Sequence, residues 1–311
     1  MLFAVALALL APAAASAASK PAVRTGGVSN LTFNSATLNG RVDPNDAETT
    51  YFFRFGTTRV FTADTAMTSV GSGDGFTRVS VAIGGLAPAT RYHYRLVAQN
   101  RLGSTLGEWR TFTTRRQPLG VNLTAIPNPV APGGSTTLAG QLTGTNNAGR
   151  DVVLQSNPFP YTQGFLNAGN PQVTDSGGNF SFPVLSVPVN TQFRVVLAQR
   201  PDVASPIVVV GAALQVRTDA KKVARHRHSV SVRFSGTVTP QNDGGRVSIQ
   251  KFRGGTWVNI AHTRAKDAGS ARSVFRTRVR IFRSGQFRAV AETQGQYVSG
   301  AGRAISIRVR R

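Results

Sequence analysis

Apolar and polar residues alternate at period two through most of the chain. Ala36, Leu38, Gly40 and Val42 take every second position, and the turn Asp43-Pro44-Asn45-Asp46 follows. Tyr51, Phe53 and Phe55 alternate next, with Val79, Val81 and Ile83 after them. In Leu86–Gly103 the same period puts Tyr92, Tyr94, Leu96 and Ala98 on one face and Arg91, His93, Arg95 and Gln99 on the other. Successive strand side chains point to opposite faces, so each run predicts a strand with one buried face. The 32 glycines and 16 prolines are spread between the runs, as turns between many short strands require. The pattern predicts an all-β chain. A β-sandwich domain takes about 100 residues, so the length predicts three of them in tandem.

The later part of the chain repeats itself. Gly140-Gln-Leu-Thr leads to Gly149-Arg-Asp-Val-Val-Leu-Gln155, then Asp175–Phe182 and Thr191–Val195. Gly236-Thr-Val-Thr leads to Gly245-Arg-Val-Ser-Ile-Gln250, then Asp267-Ala-Gly-Ser and Ser284–Ala289. The matched glycines lie nine residues apart in both copies, and the copies are offset by 96 residues, one sandwich domain. With the polar linker Arg115-Arg116-Gln117-Pro118, the expected domains are 21–114, 118–217 and 218–311.

Leu86, Pro88, Thr90 and Tyr92, followed by Ala98, Asn100 and Gly103, fall at the positions of a known motif. The motif reads Leu-x-Pro-x-Thr-x-Tyr, then alternating apolar residues, then Ala-x-Asn-x-x-Gly. Segment 21–114 thereby resembles the fibronectin type III domain, and its flanking ATLNGRVDPN and TFTT resemble the bacterial variety. The resemblance implies a β-sandwich in which the Tyr92 hydroxyl bonds back to upstream backbone as a tyrosine corner. The core Trp of many members is absent, with Leu38 nearby instead; no Arg-Gly-Asp tripeptide occurs to suggest integrin binding. More loosely, the two repeats resemble immunoglobulin-like repeats of bacterial surface proteins.

The first residues, Leu2 to Ala18, are apolar and small, and Ala15-Ser16-Ala17 suits a signal peptidase. Residues 1–17 read as a cleaved signal peptide, although no basic segment precedes the apolar stretch. A secreted, extracellular or envelope-associated protein is expected. It contains no cysteine, which excludes thiol catalysis, Cys-ligated metals and disulfides. The four histidines, His93, His226, His228 and His262, have no carboxylate at ligand or general-base spacing. Asp43, Asn45, Asp46 and Glu48 gather oxygens in one loop, but Asp-Pro-Asn-Asp is foremost turn chemistry. No enzymatic activity, cofactor or metal is expected.

Charge is the sharpest clue. The net charge is +23, and residues 218–311 carry 20 Lys/Arg against 4 Asp/Glu. Residues 118–217 carry only 4 against 3. Arg outnumbers Lys 31 to 5, a bias that does not explain this contrast between repeats. Alternation points Val232, Phe234 and Val238 inward and leaves Arg233 outside; it likewise puts Arg276, Arg278 and Arg280, and Arg308 and Arg310, on outward faces. These six arginines are the candidate polyanion-binding residues. The expected function is non-enzymatic binding, adhesion or spacing, with an anionic envelope polymer or extracellular polysaccharide as partner and a protein partner as a further option. The alternative is a non-catalytic carbohydrate-binding accessory protein. Its best aromatic is Trp257, which lies in a strand and is expected in the core.

Overall fold

The computed structural model describes residues 17–60, 63–293 and 295–309. The expected signal segment, apart from Ala17, and Arg310 lie outside the described residues. The described residues are all-β, and the chain divides into two compact units, Met1–Pro118 and Leu119–Arg311. The described residues form three hydrophobic cores, one in the first unit and two in the second.

In the first unit, strands Ala22–Ser29, Ser35–Asp43 and Thr77–Gly84 form one antiparallel sheet. Thr49–Gly56 and Arg91–Asn100 lead the other, with Gly103–Leu106 and Arg110–Thr113 pairing to the latter. The core between them holds Leu38, Val42, Phe53, Tyr94 and Leu96, all residues that alternation sends inward.

The second unit repeats this strand path twice. Gly120–Ile126, Gly134–Thr143 and Asn179–Val187 face a sheet led by Asp151–Pro158 and Thr191–Leu197. Gln215–His226, Ser229–Thr239 and Ser273–Ile281 face a sheet led by Arg246–Arg253 and Gly285–Ala291. Gly140 and Gly236 sit at matching places. A methyl group on Gly140 would run into the carbonyl oxygen of Asn122 and the ring of Phe180; on Gly236 it would meet the carbonyl of Arg217 and the ring of Phe275. In both repeats the second strand lies too close to its neighbours for a side chain, so only glycine fits.

The expected boundary at 217/218 falls inside a strand. Gln215–His226 pairs along its length with Ser229–Thr239, and Leu214 and Val216 already pack in the last core. The onset of positive charge lies partway along this strand, so composition marks the junction late. The junction itself is Gly211–Leu214. Ala213 N–H donates to Val130 C=O at 2.7 Å and Val298 N–H to Ala212 C=O at 2.9 Å, stitching the segment to both repeats. Asn190 ties the same place together: its Nδ2 donates to Gly295 C=O at 2.7 Å, and its Oδ1 accepts from Ala212 N–H at 2.9 Å.

Candidate functional site

The last repeat presents a basic sheet face. Strand Ser273–Ile281 alternates buried Phe275, Val279 and Ile281 with exposed Arg276, Arg278 and Arg280. Arg278 pairs with Arg233 of the neighbouring strand, and Arg233 with Lys221 of the next. Three like charges thus stand in register across three strands, each strand about 4.8 Å from the next. Arg217 and Lys266 extend the basic character along Gln215–His226 and Lys266–Asp267, and Asp219, paired through Ser235 toward Arg276, places one acid beside the row. Arg280 Nε donates to Ser229 Oγ at 2.8 Å, which fixes its guanidinium. No ion pair engages Arg233, Arg276 or Arg278 among the described residues. Directly opposed like charges are unfavourable, and a bound polyanion relieves that repulsion.

Arg308 does not join this row. It follows Ile305–Ile307, a strand of the opposite sheet, and its carbonyl accepts a hydrogen bond from Lys222 Nζ at 2.7 Å. Arg308, expected on an outward face of its own strand, therefore stands in a different sheet from the Arg276 row, since alternation sets the face of a strand but not the sheet it joins.

A second basic row went unread in the sequence. In the first unit Arg24, Arg41 and Arg78 stand in register across the three strands of one sheet, all exposed. They line a depression of about 460 Å³ floored by Gly26 and Gly40, and Arg24 lies 4.4 Å above the ring of Phe76. Each arginine lies alone in its own run, so only strand pairing brings them together.

The fibronectin-like positions are structural. Ala87 N–H donates to the Tyr92 hydroxyl oxygen at 2.9 Å, while Thr114 Oγ1 donates to Ala87 C=O at 2.6 Å. Leu86 is buried, and Thr90 Oγ1 donates to Pro88 C=O. Asn100 Oδ1 accepts from Leu102 N–H, and Gly103 takes a φ of 135° that a side chain would strain. Asp43 likewise serves its turn, accepting from Asn45 and Gly75 N–H, and Glu48 accepts from Ser69.

Trp257 is not in the core. It pairs with exposed Phe252 on the outer face of its sheet, and the Arg288 guanidinium lies 4.3 Å over its ring. Arg288 is held by Gln250, and Gln250 by Asn259. The preceding repeat builds the same group: Arg194 lies 4.3 Å over Phe165, held by Gln155, and Gln155 bonds Asn167. In the first unit Arg95 lies 4.6 Å over Trp109. One face of each ring is therefore covered by a guanidinium. Phe252 and Trp257 are inclined at 55°, so they form no flat sugar-stacking platform.

A cavity of about 530 Å³ in the middle sandwich is lined by Leu154, Phe182, Val184, Phe193 and small polar residues, without one titratable group. No group of three or more His, Asp or Glu converges among the described residues, and no helix there is long and apolar enough to cross a membrane.

No protein-family model matches the chain, and no curated protein is detectably similar to it in sequence. Among solved structures it is similar to the FN1–FN3 domains of chicken CNTN1, at 12% identity over 94% of this chain and 99% of that chain, with a TM-score of 0.31. Titin domains A168–A170 share 14% identity over 93% of this chain and 99% of that chain, with a TM-score of 0.36. The tetra-tandem repeat in the extending region of a large adhesion protein shares 15% over 92% and 74%, with a TM-score of 0.28. At these TM-scores the likeness carries no argument about function.

Proposed function

We propose that this chain is an exported, non-enzymatic binding or spacer protein, held at the cell envelope through charge by its basic last repeat. The observation that carries the reading is the in-register row Lys221, Arg233 and Arg278, flanked by Arg276 and Arg280 on one exposed sheet face. Long-range attraction of this kind recognises an anionic polymer by charge density rather than by sugar or base identity. The Arg24, Arg41 and Arg78 row gives the first unit a second point of attachment, and two weak contacts on one chain bind far more tightly than either alone. The stitched junction in the second unit suits a spacer, because it holds neighbouring sandwiches without a loose linker.

The test is fractionation of source cells. A wash at about 1 M salt, where the screening length falls to about 3 Å, should release the protein, whereas a dilute buffer should leave it bound. Retention through high salt with release by detergent would overturn the charge-based reading.

A further inference from the structure

Strand Arg246–Arg253 points Val247 and Ile249 into the core, and the next inward position is Lys251. Lys251 is 7% exposed. Its Nζ lies over the ring of Phe287, 5.3 Å from the ring centroid. The ammonium has three donors, and the hydrogen bond it makes runs to Arg283 C=O at 2.7 Å. A buried lysine without a carboxylate is costly, since desolvation is not offset by an opposite charge. Burial first, then the neighbouring Arg253 and Arg283, hold the Lys251 ammonium below the usual lysine value.

Lys251 lines a cavity of about 520 Å³, a size suited to a small ligand. Arg253, Arg280 and Arg283 line it with Lys251, and no acidic residue does. Phe252 and Phe282, both exposed, border it, and the Arg280 guanidinium lies 5.4 Å over Phe282. The cavity thus joins one buried lysine, three arginines and an aromatic rim. Guanidinium forks match the paired oxygens of an oxyanion, and an ammonium adds a compact charge at its centre.

We propose that this cavity is a binding pocket for a single phosphate group. Four cationic groups around one cavity suit the charge of phosphate better than that of a single carboxylate. The pocket is separate from the sheet face invoked above, sharing only Arg280 with it. Free phosphate and a phosphate carried on a polymer present the same chemistry to these side chains.

The test is thermal unfolding of the full-length chain in inorganic phosphate against chloride at equal ionic strength. A ligand that binds only the folded state raises its unfolding temperature saturably. Phosphate should do so for the unsubstituted chain and for the double variant Arg276→Ser/Arg278→Ser. Lys251→Met, which fills the same apolar slot without the charge, should fold at least as stably and lose the response. Arg283→Ser, which keeps its backbone carbonyl, should weaken it. For a polymer-borne ligand, polyphosphate should give the same Lys251-dependent response at a phosphate-unit concentration at least tenfold lower; for free phosphate the two responses should coincide. A phosphate response unchanged in Lys251→Met, or absent from the unsubstituted chain, would overturn the pocket while leaving the sheet-face reading intact.

Discussion

Replacing Asn190 with alanine should uncouple the two sandwiches of the second unit. Asn190 is 7% exposed, and its side chain makes two hydrogen bonds across the junction. One comes from Ala212 N–H, on a residue 0% exposed. Removing its acceptor leaves a buried donor without a partner, at a cost of about 1–3 kcal/mol. The other runs to Gly295 C=O, an exposed residue whose carbonyl water can reach, so its loss costs about 0.5–1.5 kcal/mol. The backbone bonds from Asn190 N–H to Gln296 C=O and from Phe159 N–H to Asn190 C=O survive the substitution. A loss of about 3 kcal/mol follows, equivalent to roughly 6–12 °C for a unit of this length. Differential scanning calorimetry should show one transition for Leu119–Arg311 in the unsubstituted protein and two separated transitions in Asn190→Ala. Asn190→Asp keeps an acceptor for Ala212 but turns a carboxylate toward the Gly295 carbonyl, so it should be no better than alanine. A midpoint within about 1 °C of the unsubstituted protein, with one transition preserved, would refute the assignment of Asn190 as the tie.

Two further outcomes follow from individual hydrogen bonds. Tyr92→Phe removes the acceptor of Ala87 N–H and should lower the stability of the first unit by about 0.5–1.5 kcal/mol in urea titrations, with an unchanged slope. The Asp175 carboxylate is held below its usual range by the Asn179 side chain first, then by backbone N–H groups of Asn179, Gly177 and Gly178. A carboxylate lowered on folding stabilises above its unfolded value, and the contribution is lost as pH falls through the folded one. The urea midpoint of the second unit should therefore fall on acidification below about pH 4, and Asp175→Ala should flatten that dependence.

Period-two alternation made the strands and their inward faces legible, because burial selects every second side chain. Leu38, Phe53, Leu96, Phe234 and Val279 all lie where that rule puts them. The matched glycines, Gly140 and Gly236, were legible as a repeat, though their reason is a close backbone approach that spacing alone does not reveal. Trp257 lies within a strand, as expected, but on its outer face, because membership of a strand does not say which face a residue takes. A bulge beside Ile249 and Gln250 shifts the pairing, and an arginine instead of the core covers the indole. Cross-strand features were the least legible. Lys221, Arg233 and Arg278 are distant in sequence, as are Arg24, Arg41 and Arg78, and only register assembles either row. Lys251 carried a readable signal, a lysine two residues beyond Ile249 in an inward series, which net charge obscured.

Charge-driven binding by the sheet face of the last repeat is the central claim, and its salt dependence tests it most directly. The full-length chain should be titrated against duplex DNA, a polyanion of known charge spacing, over a range of salt concentrations. The 218–311 fragment is unsuitable, because it would begin inside the strand Gln215–His226. Counterion release makes log affinity fall linearly with log salt, with a slope of about −0.9 per phosphate neutralised. The variant Arg233→Ser/Arg276→Ser/Arg278→Ser alters outward-facing positions and leaves the pocket around Lys251 intact. It should unfold no lower than the unsubstituted chain, since it removes like-charge repulsion, and reduce the steepness of the slope by about 2–3, one contact per arginine. An unchanged slope in the triple variant, or binding by the unsubstituted chain that ignores salt, would contradict the account.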